Sequence, residues 1–239
     1  MYKVLYLDRN GFIVVNDDVI MVFDYYSDPS HTLDHVSKHN PEKPIVFFVT
    51  SHVGGHLNKS IYEIAQNHKR VYVMSNDVYP QNVPSTLDVA GMSKGDIIED
   101  LPGSLTVKAY GTAGKGVAFL VTDKNGKKIF HAGAMDDPAT VDKIKEKKGD
   151  NDCKVRTAVN RVASEVSEIF IAFFPADINT ESHLAQHTLQ FLKEIKVANF
   201  FPIHTGSMHG KESSDYSAYA VNGAEVHFLS EPGQSIELQ

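Results

Sequence analysis

The stretch IVFFVTSHVGGHLN, residues 45–58, decides how the rest of the chain can be arranged. It opens with a block of apolar residues directly after Pro44, and such a block is typical of a buried strand. It then turns at once into Thr, Ser, His and a Gly-Gly pair, and Asn58 can cap a following helix. Proteins of the α/β class commonly place binding and catalytic residues where a buried strand ends in a polar turn. The stretch therefore predicts a functional site directly after this strand.

Composition and charge narrow the class of protein. The chain has 239 residues, 42% of them hydrophobic and 22% charged, so it can bury a substantial core. We expect a single domain over residues 1–239. The net charge is −7, and the sequence has no basic run other than residues 145–148. Both observations argue against nucleic acid as a partner. Cys153 is the single cysteine, so an intrachain disulfide and a Cys-rich zinc site are both excluded.

The N-terminal residues do not have the pattern of a signal peptide, because Asp8 and Arg9 interrupt the apolar run early. No apolar stretch reaches the roughly 18 residues that a membrane span requires. We therefore expect a cytoplasmic protein with no membrane partner.

The order of predicted elements is rich in strands in each half of the chain, with helices after each group. Strands are predicted at residues 2–7, 11–15, 19–23, 45–49, 70–74, 105–110, 117–122, 127–131, 169–174, 199–203, 225–229 and 235–238. Helices are predicted at residues 30–40, 59–68, 138–146, 155–166 and 180–195, with a loop at 77–88 and an exposed loop at 147–154. This order predicts two packed sheets with helices outside them, an αββα four-layer sandwich of the α/β (α+β) class.

Two motifs and one histidine have a functional interpretation that we do not favour. His31, His35 and His39 fall on one helical face and could form a metal clip, but no acidic or Cys residue completes the set. Gly111–Gly116 invites a phosphate-loop interpretation, yet it joins two predicted strands and lacks the Lys-Ser/Thr ending. His131 lies within a predicted strand, where a hydrogen-bonded core histidine is favoured over a metal ligand.

The stretch after the central strand resembles the H-x-H-x-D-H motif of the metallo-β-lactamase superfamily. Aligned without gaps, the first His of the motif falls on Ser51, the second on Val53 and the Asp on Gly55. Only the last His is kept, as His56, while His52 falls on a variable position of the family. The resemblance therefore implies a scaffold from which most of the metal-binding residues of this motif have been lost.

Further segments resemble other parts of the superfamily in the same order along the chain. Phe130-His131-Ala132-Gly133 resembles a strand that ends in Gly-Asp in active members, and Ala134 stands in place of that Asp. His204 matches the last His ligand, Asp177 lies where related members carry Pro-x-Asp, and the mid-chain ligand His would fall near Thr112. The cleft implied by the resemblance would be lined by Asn10, Ser51, Gly55, Thr112, Ala134 and Asp177.

Active members hold one or two divalent ions with imidazoles and carboxylates, and the ions lower the pKa of a bound water. The resemblance leaves two main interpretations open. The first is a non-catalytic member without a firmly bound cofactor, which binds an unidentified small molecule or protein. The second is a hydrolase with a rebuilt site, in which His52, His56 and His204 hold at most one zinc or other divalent ion. A purely structural or oligomer-forming subunit is a third.

Overall fold

Two seven-stranded sheets form the centre of the molecule in the computed structural model, which describes residues 1–78, 83–135, 148–203 and 213–239. The strands, in chain order, are β1 (Tyr2–Asp8), β2 (Gly11–Val15), β3 (Ile20–Phe23), β4 (Ile45–Val49), β5 (Arg70–Ser75), β6 (Val89–Met92), β7 (Ile97–Leu101), β8 (Leu105–Gly111), β9 (Val117–Thr122), β10 (Lys128–His131), β11 (Glu168–Pro175), β12 (Lys196–Ile203), β13 (Glu225–Val226) and β14 (Ser235–Leu238). The helices are α1 (Thr32–His39), α2 (Lys148–Ala163), α3 (His183–Glu194) and two 3₁₀ helices at Lys59–Tyr62 and Ser213–Tyr219.

Both sheets follow one plan, in which an antiparallel meander leads into a run of parallel strands. The first sheet has the order β14-β1-β2-β3-β4-β5-β6, and its strands β3 to β6 are parallel. The second sheet has the order β13-β12-β11-β10-β9-β8-β7, and its strands β10 to β13 are parallel. Parallel strands that are neighbours have their carboxyl ends at the same end of the sheet. In each sheet, the residues that follow the parallel strands therefore lie close together at that end.

Aromatic residues from the two sheets interlock in the core between them. The ring of Phe173 in β11 lies 4.5 Å from that of Phe12 in β2 and 5.9 Å from that of Phe23 in β3, measured between ring centroids. All three side chains are buried, and each contributes roughly 1.5–3 kcal/mol of hydrophobic stabilisation. This shared core holds the two sheets face to face.

The helices cover the outer faces of the sheets. Leu33 and Val36 of α1 join an apolar cluster on the outer face of the first sheet. Val159 of α2 and Phe191 of α3 join a cluster on the outer face of the second sheet, where Phe191 stacks on Phe174 at 4.5 Å. The four layers confirm the predicted αββα sandwich. No helix in the described part of the chain is long and apolar enough to cross a membrane.

Several predicted elements need correction. Each predicted strand is present, although β13 covers only part of the predicted 225–229, and the edge strands β6 and β7 were not predicted. The helix predicted at residues 59–68 is wrong, because only Lys59–Tyr62 forms a short 3₁₀ helix. Asn58 caps it, accepting a hydrogen bond from the Ser60 N–H at 3.0 Å, but Ala65 has φ 50°, which interrupts any helical continuation.

The region before β11 also differs from the prediction. The loop predicted at residues 147–154 is wrong over its described residues, because α2 already begins at Lys148. The helix predicted at residues 138–146 lies outside the described residues. The helix predicted at residues 180–195 is present but begins at His183, because Ser182 caps it, with its hydroxyl accepting from the Ala185 N–H at 3.1 Å.

Candidate functional site

The carboxyl ends of the parallel strands place polar residues where the edges of the two sheets meet. In the first sheet Asp24 follows β3, Thr50 follows β4, and Asp77 comes two residues after β5. In the second sheet His131 is the last residue of β10. Because β3, β4 and β5 are parallel neighbours, their polar residues lie side by side, and His131 faces them from the second sheet.

Asp24, Thr50, His56 and His131 form what we call the buried cluster, and all four residues are fully buried. One carboxylate oxygen of Asp24 accepts from the Thr50 N–H at 2.8 Å. The other accepts from the Thr50 hydroxyl at 2.6 Å and from the His56 Nδ1–H at 2.7 Å. Asp24 thereby ties the end of β3 to the end of β4 and to the turn that follows it.

The electrostatics of the buried cluster keep Asp24 ionised. Burial alone raises the pKa of the Asp24 carboxyl. The charge and hydrogen bond of His56, together with the interactions of His131 and Thr50, outweigh the effect of burial, so the pKa is lowered. A carboxylate that accepts several hydrogen bonds is stabilised in its charged form. Asp24 is therefore an acceptor in this cluster and not an acid.

The hydrogen bonds of His131 define its protonation state. Its Nε2–H donates to the backbone carbonyl of Asn10 at 3.0 Å, and its Nδ1 accepts from the Gly133 N–H at 3.1 Å. An imidazole that donates at one nitrogen and accepts at the other is neutral. Burial lowers the pKa of His131, against the attraction of Asp24. His131 is therefore a hydrogen-bonded core histidine, as predicted, and its ring stacks on Phe23 at 5.4 Å.

The seam between the two sheets is unusually tight at Thr50. A Cβ added to Gly116 would lie 2.4 Å from the Thr50 carbonyl oxygen, and one added to Gly133 would lie 2.6 Å from the Thr50 Cβ. Both glycines also have positive φ, 88° and 57°. The Val117 N–H donates to the Thr50 carbonyl at 2.9 Å, which joins the sheets by a backbone hydrogen bond. Only glycine fits at these two positions.

Ser51, His52 and Asp77 form a second group, which we call the loop cluster. His52 Nδ1 lies 2.7 Å from an Asp77 carboxylate oxygen, and the Ser51 hydroxyl donates to the same oxygen at 3.2 Å. The His52 side chain is 41% exposed and the Asp77 side chain 19% exposed, whereas Ser51 is buried. Ser51 is not set up as a nucleophile, because it is covered and donates to the carboxylate instead of to a histidine.

Comparison with known proteins identifies the architecture. No family model matches the sequence, and no curated protein matches it either. Among solved structures, Igni18, a metallo hydrolase from Ignicoccus hospitalis, matches with a TM-score of 0.66 and 16% identity over 100% of this chain and 99% of that one. The metallo-β-lactamase fold protein YhfI from Bacillus subtilis matches with a TM-score of 0.64 and 12% identity over 99% and 100% of the two chains.

This chain has the metallo-β-lactamase fold. A third solved structure with this architecture belongs to CmlA, a diiron β-hydroxylase from Streptomyces venezuelae, with a TM-score of 0.59 and 10% identity. The match covers 99% of this chain but 54% of CmlA, so this chain spans about half of that protein's length. At these identities the comparison establishes the fold and not the activity. The resemblance seen in the sequence is thus confirmed at the level of fold.

The metallo-β-lactamase fold implies a divalent metal centre, and the described side chains at the positions that the resemblance assigns to it do not fit two metal ions. At the positions that the resemblance assigns to the motif and to the later Asp, the chain has Ser51, Val53, Gly55 and Ala134, and none of these residues supplies an imidazole or a carboxylate. Among the described residues no three His, Cys, Asp or Glu side chains are arranged to hold a metal ion. His56 is the described residue that fits best, because Asp24 holds its Nδ1–H and metal-binding histidines are usually oriented by such a carboxylate.

The other residues predicted for the cleft fall into separate environments. Gly55 has φ 101°, and a Cβ there would lie 3.8 Å from Asn10 Nδ2, beside the buried cluster. Thr112 lines a different cavity, against α2. Ala134 is buried. The Asp177 N–H donates to the Tyr219 hydroxyl, which in turn donates to the Asp177 carbonyl.

The predicted metal ligands His52 and His56 belong to different groups. His52 pairs with Asp77 in the loop cluster and His56 with Asp24 in the buried cluster. His204 lies outside the described residues, so the three-histidine site stays a prediction.

Sequence reasoning missed Asp24, Thr50 and Asp77 as members of the site. Asp24 has no predicted role in the sequence, and Asp77 lies at the start of the predicted loop 77–88. The signal that identifies them is their position, because each is the first or second polar residue after a buried parallel strand.

Proposed function

We propose that this protein is a metallo-β-lactamase-fold protein that has lost two-metal hydrolysis and uses the fold to bind a small molecule or a protein partner. One observation carries the proposal: the side chains at the four substituted ligand positions. Ser51, Val53, Gly55 and Ala134 include no imidazole and no carboxylate. Two metal ions held close together need a bridging anionic ligand, and neither Gly55 nor Ala134 can provide one.

The surroundings of these positions support the same conclusion. The Ser51 hydroxyl donates to Asp77, and Ala134 is fully buried. The Asp24 carboxylate accepts three hydrogen bonds from within the protein, so its charge is compensated by protein groups. Small apolar side chains at the former ligand positions also avoid the cost of burying charge where no metal offsets it.

The first test is the metal content of the purified protein. We expect substoichiometric zinc, iron and manganese by elemental analysis after dialysis against a chelator and then against metal-free buffer. We also expect no turnover of a chromogenic β-lactam, a p-nitrophenyl ester or bis(p-nitrophenyl) phosphate when zinc is added back. Two ions per chain that survive dialysis, together with turnover, would overturn the proposal.

The second candidate function is a hydrolase with one metal ion held by His52, His56 and His204. The observation that favours it is the hydrogen bond from His56 Nδ1 to Asp24, since metal-binding histidines are usually oriented in this way. Such an ion would lower the pKa of a bound water and supply hydroxide. The test is zinc titration by calorimetry of the unmodified protein, His56→Gln, and His39→Gln, an exposed histidine on α1. One equivalent of zinc, lost only in His56→Gln, would favour this candidate.

A rebuilding variant tests whether the motif turn still has the family's geometry. Ser51→His, Val53→His, Gly55→Asp and Ala134→Asp restore the family pattern around His56. Structural zinc contributes on the order of 10 kcal/mol, which outweighs the roughly 1–2 kcal/mol of backbone strain at Gly55. We expect the variant to bind zinc with little hydrolysis. Zinc binding no tighter than that of the unmodified chain would show that the turn has diverged from the family's.

A further inference from the structure

The turn between β1 and β2 brings two nitrogen-bearing side chains to Gly55, next to the buried cluster. Gly55 stands where the resemblance places the Asp of the metal-binding motif, so no side chain extends from this position. A Cβ built there would lie 3.8 Å from Arg9 Nη1 and 3.8 Å from Asn10 Nδ2. Apart from the chain neighbours of Gly55, no described atom would lie nearer. There is therefore room beside Gly55, and two nitrogen donors border it.

Asn10 contributes an amide without a protein partner. The residue is 3% exposed, and its backbone carbonyl accepts from the His131 Nε2–H at 3.0 Å, which anchors the turn. Its side-chain amide has no hydrogen-bond partner among the residues that the structure describes, and it keeps contact with solvent. Buried side-chain amides are normally paired within the protein. The amide of Asn10 is therefore available to a ligand that enters the space beside Gly55.

Arg9 contributes a cation that is not part of an ion pair. Its guanidinium lies over the ring of Tyr26, with Cζ 4.8 Å from the ring centroid. No described carboxylate forms an ion pair with Arg9, unlike Arg161, which is paired with Glu165. Stacking on a ring uses the face of the guanidinium, so its N–H edge stays free to donate to a pair of oxygens.

The carboxylate of the neighbouring buried cluster does not occupy these donors. Asp24 accepts from Thr50 and His56, and no hydrogen bond joins it to the side chains of Arg9 or Asn10. One charged and one neutral donor thus border the same space without a described acceptor. A carboxylate or a phosphate is the group that suits both, because its oxygens accept from a guanidinium and from an amide together.

We propose that the space beside Gly55 binds the oxyanion of a small organic molecule, a carboxylate or a phosphate, with Arg9 and Asn10 as its hydrogen-bond donors. The inference rests on the proposed binding function, to which it adds a ligand class and a location. It requires no metal ion, so the tests use chelator-treated protein, and the metal measurements above succeed or fail separately. Anion binding that appears only after zinc is added would place the anion on a metal ion and overturn the inference.

Chemical modification of arginine tests the site directly. Phenylglyoxal reacts with accessible guanidinium groups, and peptide mass spectrometry gives the rate at Arg9 and, as an internal control, at Arg156, an exposed arginine on α2. Phenyl phosphate and benzoate are the probes, and benzylamine is the cationic control. At about ten times its Kd, an anion should slow the modification of Arg9 about tenfold and leave Arg156 unchanged. No protection of Arg9 by either anion, or equal protection by benzylamine, would contradict the proposal.

Matched variants separate the site from the overall charge. Arg9→Met and Arg156→Met each remove one exposed positive charge, and both are titrated by calorimetry with the anion that protects better. Arg9→Met should weaken binding by at least about tenfold, because a charge-assisted hydrogen bond is lost. Asn10→Ala, whose backbone carbonyl still accepts from His131, should weaken it about threefold. Arg156→Met should bind as the unmodified chain does, and equal affinities of the two arginine variants would mean that no site exists at Arg9.

A carboxylate placed on the chain itself provides the last test. Gly55→Asp puts an anion beside Arg9 and Asn10, whereas Gly55→Asn has nearly the same size and the same strain at φ 101° without the charge. The Asp should pair with Arg9, slow its modification by phenylglyoxal several-fold relative to Gly55→Asn, and exclude the added anion. If Arg9 reacts equally fast in the two variants, its guanidinium does not face the space beside Gly55 and the proposal is wrong.

Discussion

The buried cluster and the loop cluster use the same pair of residue types at the same distance in opposite environments. His56 and Asp24 are 2.7 Å apart and both fully buried. His52 and Asp77 are also 2.7 Å apart, but their side chains are 41% and 19% exposed. A buried ionic pair is costly to break because it leaves an uncompensated charge, whereas an exposed pair is screened by water.

The difference teaches that position relative to the sheets, and not hydrogen-bond length, decides what each pair does. The buried cluster lies at the seam where β3, β4 and β10 meet, so its contacts hold the two sheets together. The loop cluster lies between the ends of β4 and β5, and its histidine is partly exposed to solvent. We therefore expect the first to determine stability and the second to be available for binding.

The largest expected effect comes from removing the carboxylate of the buried cluster. Asp24→Ala leaves the Thr50 N–H, the Thr50 hydroxyl and the His56 Nδ1–H without their acceptor. We expect the free energy of unfolding to fall by about 3–5 kcal/mol, measured by urea denaturation. Asp24→Asn should cost roughly half as much, because its amide oxygen still accepts and Asn tolerates the positive φ of 44°. A loss below about 1 kcal/mol in Asp24→Ala would remove the contrast between the clusters.

The next effect tests the tight seam at Thr50 against an open turn. Gly133 and Gly126 both have positive φ, 57° and 76°, so alanine at either costs about 1–2 kcal/mol in backbone strain. Only at Gly133 would the new Cβ overlap Thr50, since nothing lies within 4 Å of it at Gly126. Overlap should add roughly 1–3 kcal/mol to the loss of stability in Gly133→Ala. Equal losses in the two variants would contradict the close approach of the sheets.

The pH dependence of stability should report the neutral state of His131. Burial lowers the pKa of His131 below its usual 6.5, so between pH 6.5 and that lower value the unfolded chain binds a proton that the folded chain does not. Stability should therefore fall as the pH drops below 6.5, by up to about 1.4 kcal/mol per pH unit from this residue. His227, whose pKa burial also lowers, acts in the same direction.

The control for this experiment is His131→Gln, whose amide can still donate to the Asn10 carbonyl. Its stability between pH 5 and 6.5 should depend less steeply on pH than that of the unmodified chain, by nearly one proton. Denaturant midpoints collected across this range provide the measurement. Identical pH slopes in the two proteins would show that His131 is protonated in the folded state.

The smallest effect belongs to the loop cluster. His52→Ala removes one hydrogen bond to Asp77 from a partly exposed position. We expect a loss of about 0.5–1 kcal/mol in urea denaturation, because the pair is partly screened by solvent. A loss comparable with that of Asp24→Ala would mean that the turn after β4 depends on His52 for its conformation.

The sequence predicted the layers of the fold better than the details at their edges. Continuous apolar runs such as Ile45–Val49 are unambiguous because both faces of the strand are covered. β6 and β7 escaped prediction because they are edge strands, and Ile97–Leu101 carries Glu99 and Asp100 where a central strand would be apolar. The helix predicted after Asn58 failed because capping and apolar spacing do not reveal a residue with positive φ, such as Ala65.

The site was predictable only in part, for a related reason. The turn at residues 51–56 stood out because its histidines and glycines follow a strand. Asp24 did not stand out, because a single acidic residue after a strand has no local pattern, and its importance comes from Thr50 and His56 arriving from elsewhere in the chain. Separating His52 from His56 likewise required the turn geometry, in which one side chain points to solvent and the other inward.

The pairing of β1 with β14 has a consequence for how the protein is made. Tyr2 lies opposite Leu238, so β1 is partnered on its outer side by β14, a strand far from it in the sequence. Until residues 235–238 are synthesised, the nascent chain carries an open strand edge on β1. Open edges of this kind are where chains pair wrongly with one another. The risk of such mispairing therefore persists until β14 docks on β1.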